Sequence, residues 1–269
     1  MTKIGLSLGG GSLRGVAHIG VLQEFEDKGV TIDYLAGTSS GALIAGLYAA
    51  GISPNNMISL IHDLEWKRYI DVKFPTLALI KGKKIYKDLI RLTEGKHFKD
   101  LDIPLSVVCI DLTEGCLKVI NTGEVAKAIR ASIAIPGIFH PVKYNDHIYV
   151  DGYILNNNPA DVVKNMGADY VVAVKVKGLV DNEPVKGIIT SLKKYMNIAS
   201  SLRTTEQLRE NADVIIDINC EKFGKISLKT KQFLEIIKEG KDTTNQMIQD
   251  YNIVNLADYN MVSSISNID

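Results

Sequence analysis

Two glycine-rich segments near the start of the chain constrain its fold more than any other feature. Gly9–Gly11 directly follows the predicted strand Lys3–Leu8, and Gly37–Gly41 directly follows the apolar run Tyr34–Ala36. Each glycine segment is followed by a pattern typical of a helix. A strand, a glycine turn and a helix in this order are typical of α/β proteins. The two predicted helices run from about Arg14 to Lys28 and from the second glycine segment to about Gly51.

The rest of the chain continues this alternation. Ile103–Ile110 is almost continuously apolar, the pattern of a strand buried on both faces. The alternation predicts an α/β fold with a mostly parallel central sheet and helices on both faces. No linker divides the sequence, so we expect one domain over residues 1–269, with a motif-bearing core over 1–178 and a helical C-terminal portion over 179–269. The other predicted elements are strands at Leu117–Ile120, Ile148–Val150, Tyr170–Val176 and Val214–Ile218, and helices at Ser53–Trp66, Glu124–Ala134, Ile188–Arg209 and Lys229–Tyr251.

Charge and composition exclude several functional classes. The chain has 31 Lys+Arg and 31 Asp+Glu, so it lacks the basic surplus typical of nucleic-acid-binding proteins. Its 3 cysteines have no metal-ligand spacing, so we expect no metal site. The first residues are too few and too polar for a signal peptide, and no run approaches the roughly 18 apolar residues of a membrane span. We therefore expect a cytoplasmic protein.

The segment Gly37-Thr38-Ser39-Ser40-Gly41 has the pattern G-x-S-x-G between a predicted strand and a predicted helix. A serine on such a turn is held in strained geometry, and the flanking glycines let strand and helix approach each other. The amino end of the following helix favours an oxyanion nearby. The pattern predicts that Ser39 is a nucleophile, the alternative being an ordinary glycine-rich turn.

The glycine loop, Gly9–Gly15, offers backbone amides that can bind an anion. The anion could be a nucleotide phosphate, a lipid phosphate or a reaction oxyanion. A P-loop is excluded because Val16 and Ala17 follow Gly15 where Lys and Ser or Thr are needed. The dinucleotide fingerprint fails because Arg14 stands where its last glycine belongs. An oxyanion loop serving Ser39 is the better interpretation.

A nucleophilic serine needs a base, and histidine is the usual one. An α/β-hydrolase would place that histidine late in the chain, but no histidine follows His147. A triad of Ser39 with Asp111 and either His140 or His147 stays open. Asp151, at the end of a predicted strand, is the best-placed carboxylate for a Ser–Asp dyad. A dyad predicts an acid limb of activity with a carboxylate-like ionisation rather than the imidazole step near 6.5.

These blocks, in this order, resemble bacterial patatin-like phospholipases. The resemblance covers roughly two thirds of the chain, and its blocks are the glycine loop with Ala17–Leu22, the serine turn, Ala131–Val142, Asp151-Gly152 and Met166–Asp169. It implies a serine acyl hydrolase with a Ser–Asp dyad, no metal and no cofactor. Carried over residue by residue, it makes Ser39 the nucleophile and Asp151 the base. The oxyanion loop is then Gly10, Gly11 and Ser12, and the supporting glycines of the motifs are Gly9, Gly15, Gly37, Gly41 and Gly152.

Two positions depart from the family pattern. Ser12 occupies a position that is often glycine, and Tyr153 replaces the small third residue of the Asp-Gly-Gly/Ala block. We expect the Tyr153 ring to narrow the acyl site. Arg14 either holds a substrate phosphate or stabilises its own loop through a carboxylate. We expect Gly11 to need a positive φ or a close approach, so that Gly11→Ala lowers turnover strongly.

The first functional hypothesis is a lipid acyl hydrolase, with a lipid or acyl ester as its substrate. The alternatives are an esterase or thioesterase acting on soluble substrates, and a lipid-binding protein that has lost catalysis. Pro75–Lys84 has weak periodicity and is the expected lid. Its basic cluster Lys81–Lys84 either makes peripheral membrane contact or is simply a solvated loop. The sequence leaves the oligomeric state open.

Overall fold

A mixed sheet of 8 strands forms the centre of the protein. The computed structural model describes residues 2–62, 78–177, 187–224, 229–251 and 253. The strands of this sheet are β1 (Ile4–Leu8), β2 (Tyr34–Thr38), β4 (Leu105–Asp111), β5 (Cys116–Ile120), β7 (Val142–Tyr144), β8 (His147–Asp151), β9 (Tyr170–Lys177) and β10 (Val214–Asn219). The two strands β3 (Ala78–Ile80) and β6 (Gly137–Phe139) pair separately and in parallel.

The strand order is β10-β9-β1-β2-β4-β8-β7, and β5 also pairs with β4. Strands β10, β9, β1, β2 and β4 are parallel to one another. β5 and β8 run antiparallel to β4, and β7 runs antiparallel to β8. The mostly parallel sheet predicted from the sequence is confirmed. Because the parallel strands end at one edge, the loops after β1 and β2 lie side by side there.

Helices cover both faces of the sheet, as the alternating pattern predicts. The larger core lies on the face that α1, α2, α5 and α8 cover, and a smaller apolar cluster lies under α6 and α7 on the other face. The central parallel strands β1 and β4 bury side chains on both faces, which explains their nearly continuous apolar sequences, whereas the edge strand β10 alternates between buried and accessible positions. The helices are α1 (Ala17–Asp27), α2 (Ser40–Ala49), α3 (Pro54–His62), α4 (Lys83–Leu92), α5 (Val125–Ser132), α6 (Ala160–Asn165), α7 (Ile188–Asn211) and α8 (Thr230–Asp250).

The pairing along β4 explains how distant parts of the chain meet. Thr38, the last residue of β2, pairs with Val108, and Asp151, the last residue of β8, pairs with Cys109. The end of β2 and the end of β8 therefore reach adjoining residues of one strand. The residue after Thr38 is Ser39, so this register brings the expected nucleophile beside the expected base.

The expected lid, Pro75–Lys84, has regular structure where it is described. Residues 78–80 form β3, and α4 begins at Lys83. The buried Arg130 side chain donates hydrogen bonds to the carbonyl oxygens of Lys81 and Gly82. The lid role stays a prediction, and residues 75–77 and the expected helix end at Trp66 lie outside the described residues. The single domain over 1–269 stays a prediction.

Candidate active site

Ser39 lies on the sharp turn between β2 and α2. Its φ is 55° and its ψ is −123°, a left-handed conformation that a non-glycine residue adopts only under constraint. The constraint comes from close packing of α2 against the end of β1. A Cβ atom added at Gly41 would lie 2.0 Å from the Leu8 carbonyl oxygen, so only glycine fits there. The turn therefore holds the Ser39 side chain at the carboxyl edge of the sheet.

The hydroxyl of Ser39 is hydrogen-bonded to the carboxylate of Asp151. Ser39 Oγ donates to Asp151 Oδ2 over 2.7 Å, and both side chains are buried. Burial raises the pKa of Asp151 to about 7, although hydrogen bonds from Ser39 and from the Tyr153 amide act in the opposite direction. A carboxylate with such a pKa is a stronger base than an ordinary aspartate and is ionised above neutral pH. The arrangement can deprotonate the serine.

Ser132 fixes the backbone of the nucleophile. The Ser39 amide donates to Ser132 Oγ over 2.8 Å, and Ser132 Oγ donates to the Val108 carbonyl oxygen over 2.6 Å. Sequence reasoning placed Ser132 in a family block but gave it no role. Its buried hydroxyl connects the serine turn to the middle of β4, the same strand that positions Asp151.

The glycine loop lies beside Ser39, and its amides already have acceptors. A Cβ added at Gly10 would lie 3.1 Å from Ser39 Cβ, so the loop passes close to the nucleophile. The Gly10 amide is shared between the carbonyl oxygen of Asn157 at 3.0 Å and its side-chain Oδ1 at 3.1 Å. The Gly11 amide donates to Ser40 Oγ over 2.8 Å. The loop is therefore placed as an oxyanion loop must be, with two of its expected donors bonded internally.

The backbone of the loop corrects one sequence expectation. Gly11 has a φ of −161°, which is extended backbone open to any residue, and an added Cβ would come no closer than 3.2 Å to Val176. The expectation of a positive φ at Gly11 is wrong. Ser12 instead has the positive φ, 53°, which explains why glycine suits this position.

His18 is hydrogen-bonded to the same loop. Its side chain is completely buried, and its Nε2–H donates to the Gly9 carbonyl oxygen over 2.7 Å. Burial lowers the pKa of His18 to about 4, so the ring is neutral at physiological pH. His18 therefore has a packing role and is not the base of the serine.

The asparagines at 156–158 have a larger role than the turn and helix cap that their pattern predicts. The cap position of α6 is Pro159, with no side-chain hydrogen bond. Asn158 instead bonds Ser7 Oγ at 2.5 Å and the Val174 carbonyl oxygen at 2.8 Å, while the Asn156 carbonyl oxygen accepts from Thr38. The segment thereby joins β1, β2 and β9 behind the site.

Arg14 and Tyr153, the two expected substrate contacts, both have partners within the protein. Arg14 donates to the Gly224 carbonyl oxygen over 3.0 Å, so its loop is stabilised through a backbone carbonyl rather than a carboxylate. The hydroxyl of Tyr153 is hydrogen-bonded to Asn197 on α7, and its carbonyl oxygen accepts from Ser200. Their contacts with substrate stay predictions.

The alternative triad is not assembled. Asp111 and His147 do meet, with 2.5 Å between Asp111 Oδ2 and His147 Nδ1, but His147 begins β8 whereas Asp151 ends it. At about 3.3 Å per residue the two positions are roughly 13 Å apart along the strand. His140 lies between β6 and β7 and contributes its carbonyl oxygen to Arg130. Among the candidate bases, Asp151 is the one whose hydrogen bond with Ser39 the described part of the chain shows.

No group of three or more metal-ligating side chains lies together in the part of the chain that the structure describes. No helix in the described ranges is long and apolar enough to cross a bilayer.

A strand–turn–helix serine, a buried carboxylate on its hydroxyl and an adjacent glycine loop define the class of serine acyl-transfer sites. Comparison with known proteins narrows this class. The family model described as patatin-like phospholipase matches residues 6–164, which contain the whole site. The chain belongs to the patatin-like phospholipase family.

Individual relatives agree with this assignment. The chain is 33% identical over 183 residues to patatin-like phospholipase domain-containing protein 6 of Mus musculus, covering 64% of this chain and 13% of that protein. It is 29% identical over 192 residues to lysophospholipase NTE1 of Debaryomyces hansenii, covering 68% of this chain and 12% of that protein. The crystal structure of VipD from Legionella pneumophila matches with a TM-score of 0.59 at 18% identity, covering 93% of this chain and 67% of that one.

The family resemblance read from the sequence motifs is thus confirmed, and the VipD structure confirms the fold. The chain spans about an eighth of the length of the mouse and yeast relatives it matches. Those relatives are animal and fungal proteins, so the comparisons do not narrow the chain to bacterial members of the family.

Proposed function

We propose that this protein is a lipid acyl hydrolase that cleaves carboxylic esters through the Ser39–Asp151 dyad. The observation that carries the proposal is the 2.7 Å hydrogen bond from Ser39 Oγ to a buried carboxylate whose pKa is raised to about 7. Family membership and the name lysophospholipase among the relatives support lipid esters as the substrate class.

The first half-reaction acylates the serine. Asp151 takes the hydroxyl proton while Ser39 Oγ attacks the ester carbonyl carbon, and the carbonyl oxygen becomes an oxyanion. The glycine-loop amides, above all those of Gly10 and Gly11, stabilise this charge after exchanging their internal acceptors for the oxyanion. Collapse of the tetrahedral intermediate breaks the ester bond, and the leaving alcohol takes the proton from Asp151.

The second half-reaction releases the acid. Water enters from the side that the alcohol has left, and Asp151 accepts its proton as the oxygen attacks the acyl-enzyme. The bond to Ser39 Oγ breaks, and the serine regains a proton. No group other than the dyad and the loop amides is needed for this proton transfer, because one carboxylate alternates between base and acid.

The structure favours an active enzyme over a lipid-binding protein that has lost catalysis. In an idle protein nothing would maintain the strained backbone of Ser39 and the buried Asp151 carboxylate, both of which lower stability. We further propose that the enzyme works from the cytoplasm and meets its substrate at a membrane surface, since long-chain lipids reside there.

The test combines covalent labelling with a substrate comparison. A fluorophosphonate probe should label wild-type protein, peptide mapping should place the label on Ser39, and Ser39→Ala should abolish labelling. Wild-type protein should hydrolyse phospholipid in vesicles faster than a soluble thioester of the same acyl chain. Labelling at another serine would overturn the site, and preference for the soluble thioester would change the substrate class to that of a soluble thioesterase.

A further inference from the structure

The helix α7 has an inverted distribution of polar and apolar side chains. A surface helix normally buries its apolar stripe and exposes its polar one, as α8 does with Phe233, Ile236 and Ile248 buried. In the middle of α7 an exposed stripe is apolar. Tyr195, Ile198 and Leu202 are 72%, 63% and 70% exposed.

The inward stripe of the same helix is polar and hydrogen-bonded. Asn197 bonds the Tyr153 hydroxyl, Ser200 donates to the Tyr153 carbonyl oxygen, and the buried Thr204 donates to Ser200. These contacts fix the rotation of the helix. The three exposed side chains, spaced by three and four residues, therefore form one outward row about 10 Å long.

This row lies on the helix that contacts the turn after Asp151. The helix connects β9 with β10, two parallel strands, so it begins at the carboxyl edge of the sheet and runs back toward the amino edge. Its polar stripe bonds Tyr153, two residues after Asp151. The turn that follows Asp151 therefore connects the exposed row to the dyad and fixes their relative positions.

The charges on α7 suit an anionic surface. The helix carries no acidic residue before Glu206, and Lys194 and Arg203 lie beside the exposed row in the sequence. An apolar row with a tyrosine and neighbouring cationic residues is the composition of helices that lie in the interface of a bilayer. Cationic side chains there gain from the negative potential of anionic lipids.

We propose that the exposed face of α7, formed by Tyr195, Ile198 and Leu202, docks this protein onto a lipid bilayer containing anionic lipid. The biological purpose of this docking rests on the proposed function, whereas the vesicle-binding test does not depend on catalysis. Insertion of these side chains into the headgroup region would bring the turn after Asp151 to the membrane. The same contact would present lipid esters to Ser39.

The experiment measures vesicle binding apart from catalysis. A triple variant, Tyr195→Gln with Ile198→Gln and Leu202→Gln, keeps a good helix former at each position. It is made in a Ser39→Ala background for sedimentation with vesicles of phosphatidylcholine, alone and mixed with phosphatidylglycerol. We expect the parent to bind the mixed vesicles more tightly and the triple variant to bind at least about tenfold more weakly.

A matched control is Tyr251→Gln. Tyr251 is 51% exposed and lies near Tyr170, which begins β9 at the opposite edge of the sheet. We expect this variant to bind vesicles like its parent. In the catalytically intact background, the triple variant should keep hydrolysis of a soluble short-chain ester within about twofold and lose hydrolysis of vesicle lipid.

Three outcomes would overturn the proposal. The first is that the triple variant binds vesicles as tightly as its parent. The second is that neither protein binds vesicles, while the wild type is a dimer and the triple variant is a monomer. The third is that no vesicle binding occurs and the triple variant melts at a lower temperature, which would make the row an internal contact. If binding depends on the row while no ester is hydrolysed by the wild type, docking stands and the proposed function fails.

Discussion

The serine turn and the glycine loop follow neighbouring parallel strands, yet the structure holds them in different states of readiness. At the serine turn the reacting groups are already joined, with Ser39 Oγ on Asp151 Oδ2 at 2.7 Å. At the glycine loop the Gly10 and Gly11 amides are bonded to Asn157 and Ser40 instead. The nucleophile is preassembled, whereas the oxyanion donors must exchange one acceptor for another.

Holding the oxyanion donors in this bonded state costs the resting protein little free energy. An amide that leaves a hydroxyl or carbonyl oxygen for a developing oxyanion remains hydrogen-bonded throughout, so little is lost in the ground state. The new bond is to a charged oxygen and is stronger than the one given up. The loop therefore gains most of its bonding energy in the transition state, which is where it accelerates the reaction.

The largest expected effect is at the preassembled centre. Ser39→Ala removes the nucleophilic oxygen and should lower kcat/KM by about 10³-fold or more. The melting temperature should stay unchanged, because the Ser39 amide keeps its bond to Ser132. Ester hydrolysis close to the wild-type rate, in protein shown to be folded by circular dichroism, would refute the assignment.

Asp151→Asn tests the base of the same centre. The amide keeps the shape but cannot accept the proton, so turnover should fall by about 10²-fold or more. Folding raises the pKa of Asp151 from 3.8 to about 7, which means that its ionised form costs stability above pH 7. The variant should therefore melt at a higher temperature than wild type at pH 8, with no such difference near pH 4. A variant that keeps its activity would exclude the dyad.

Two further variants compare the effects of an added Cβ at Gly10 and at Gly11. A Cβ at Gly10 would lie 2.4 Å from Asn157 Oδ1 and 3.1 Å from Ser39 Cβ, so Gly10→Ala must displace the loop beside the nucleophile. We expect kcat to fall by about 10²-fold, the size of losing one oxyanion donor. Gly11→Ala is the control and should cost less than about fivefold, since its closest contact is 3.2 Å. Equal losses in kcat for the two variants would contradict the loop geometry.

The pH dependence follows from the raised pKa of Asp151. Activity requires the ionised carboxylate, so kcat/KM should fall about tenfold per pH unit below an apparent pKa of about 7. The sequence predicts a carboxylate ionisation distinct from the imidazole step, but burial moves it into the range of histidine. His147→Ala therefore serves as the discriminating control, and a shifted acid limb in that variant would assign the ionisation to histidine.

The smallest expected effect concerns the acceptor of the Gly11 amide. Ser40→Ala removes the hydroxyl that occupies this amide in the resting protein. Because the oxyanion then meets no internal competitor, kcat should rise by about two- to fivefold, the size of one ordinary hydrogen bond. A fall in kcat would show that Ser40 positions the loop rather than competes for it.

Local patterns predicted most of the fold and half of the site. Apolar runs and glycine turns identified the strands at Ile4–Leu8 and Leu105–Asp111 to within about two residues, because these strands are buried on both faces. They also placed Ser39 on its turn. The positive φ at Ser12 and the extended backbone at Gly11 were not predictable, since packing against the ends of β1 and β9 sets them.

The residues that contact the site from distant parts of the sequence were the hardest to predict. Asn157 lies 147 residues from Gly10, and Ser132 lies 93 residues from Ser39. Their local sequences read as a turn and as a helix end, and nothing in either pattern indicates a contact with the site. Asp151 was predicted only through its position at a strand end and its family block, because the antiparallel direction of β8 leaves no local signature.

The position of Asp151 on β8 also determines at which stage of folding the protein becomes catalytically competent. The serine is placed by β2 and α2, which are adjacent in sequence, but the carboxylate is 112 residues away and arrives with the hairpin of β7 and β8. Closing so long a loop is slow compared with forming local structure. A chain growing from its amino end can therefore form β1, β2 and β4 around an inert serine before β8 is available. Recovery of ester hydrolysis during refolding would time the docking of the β7–β8 hairpin onto β4, not the pairing of β1, β2 and β4.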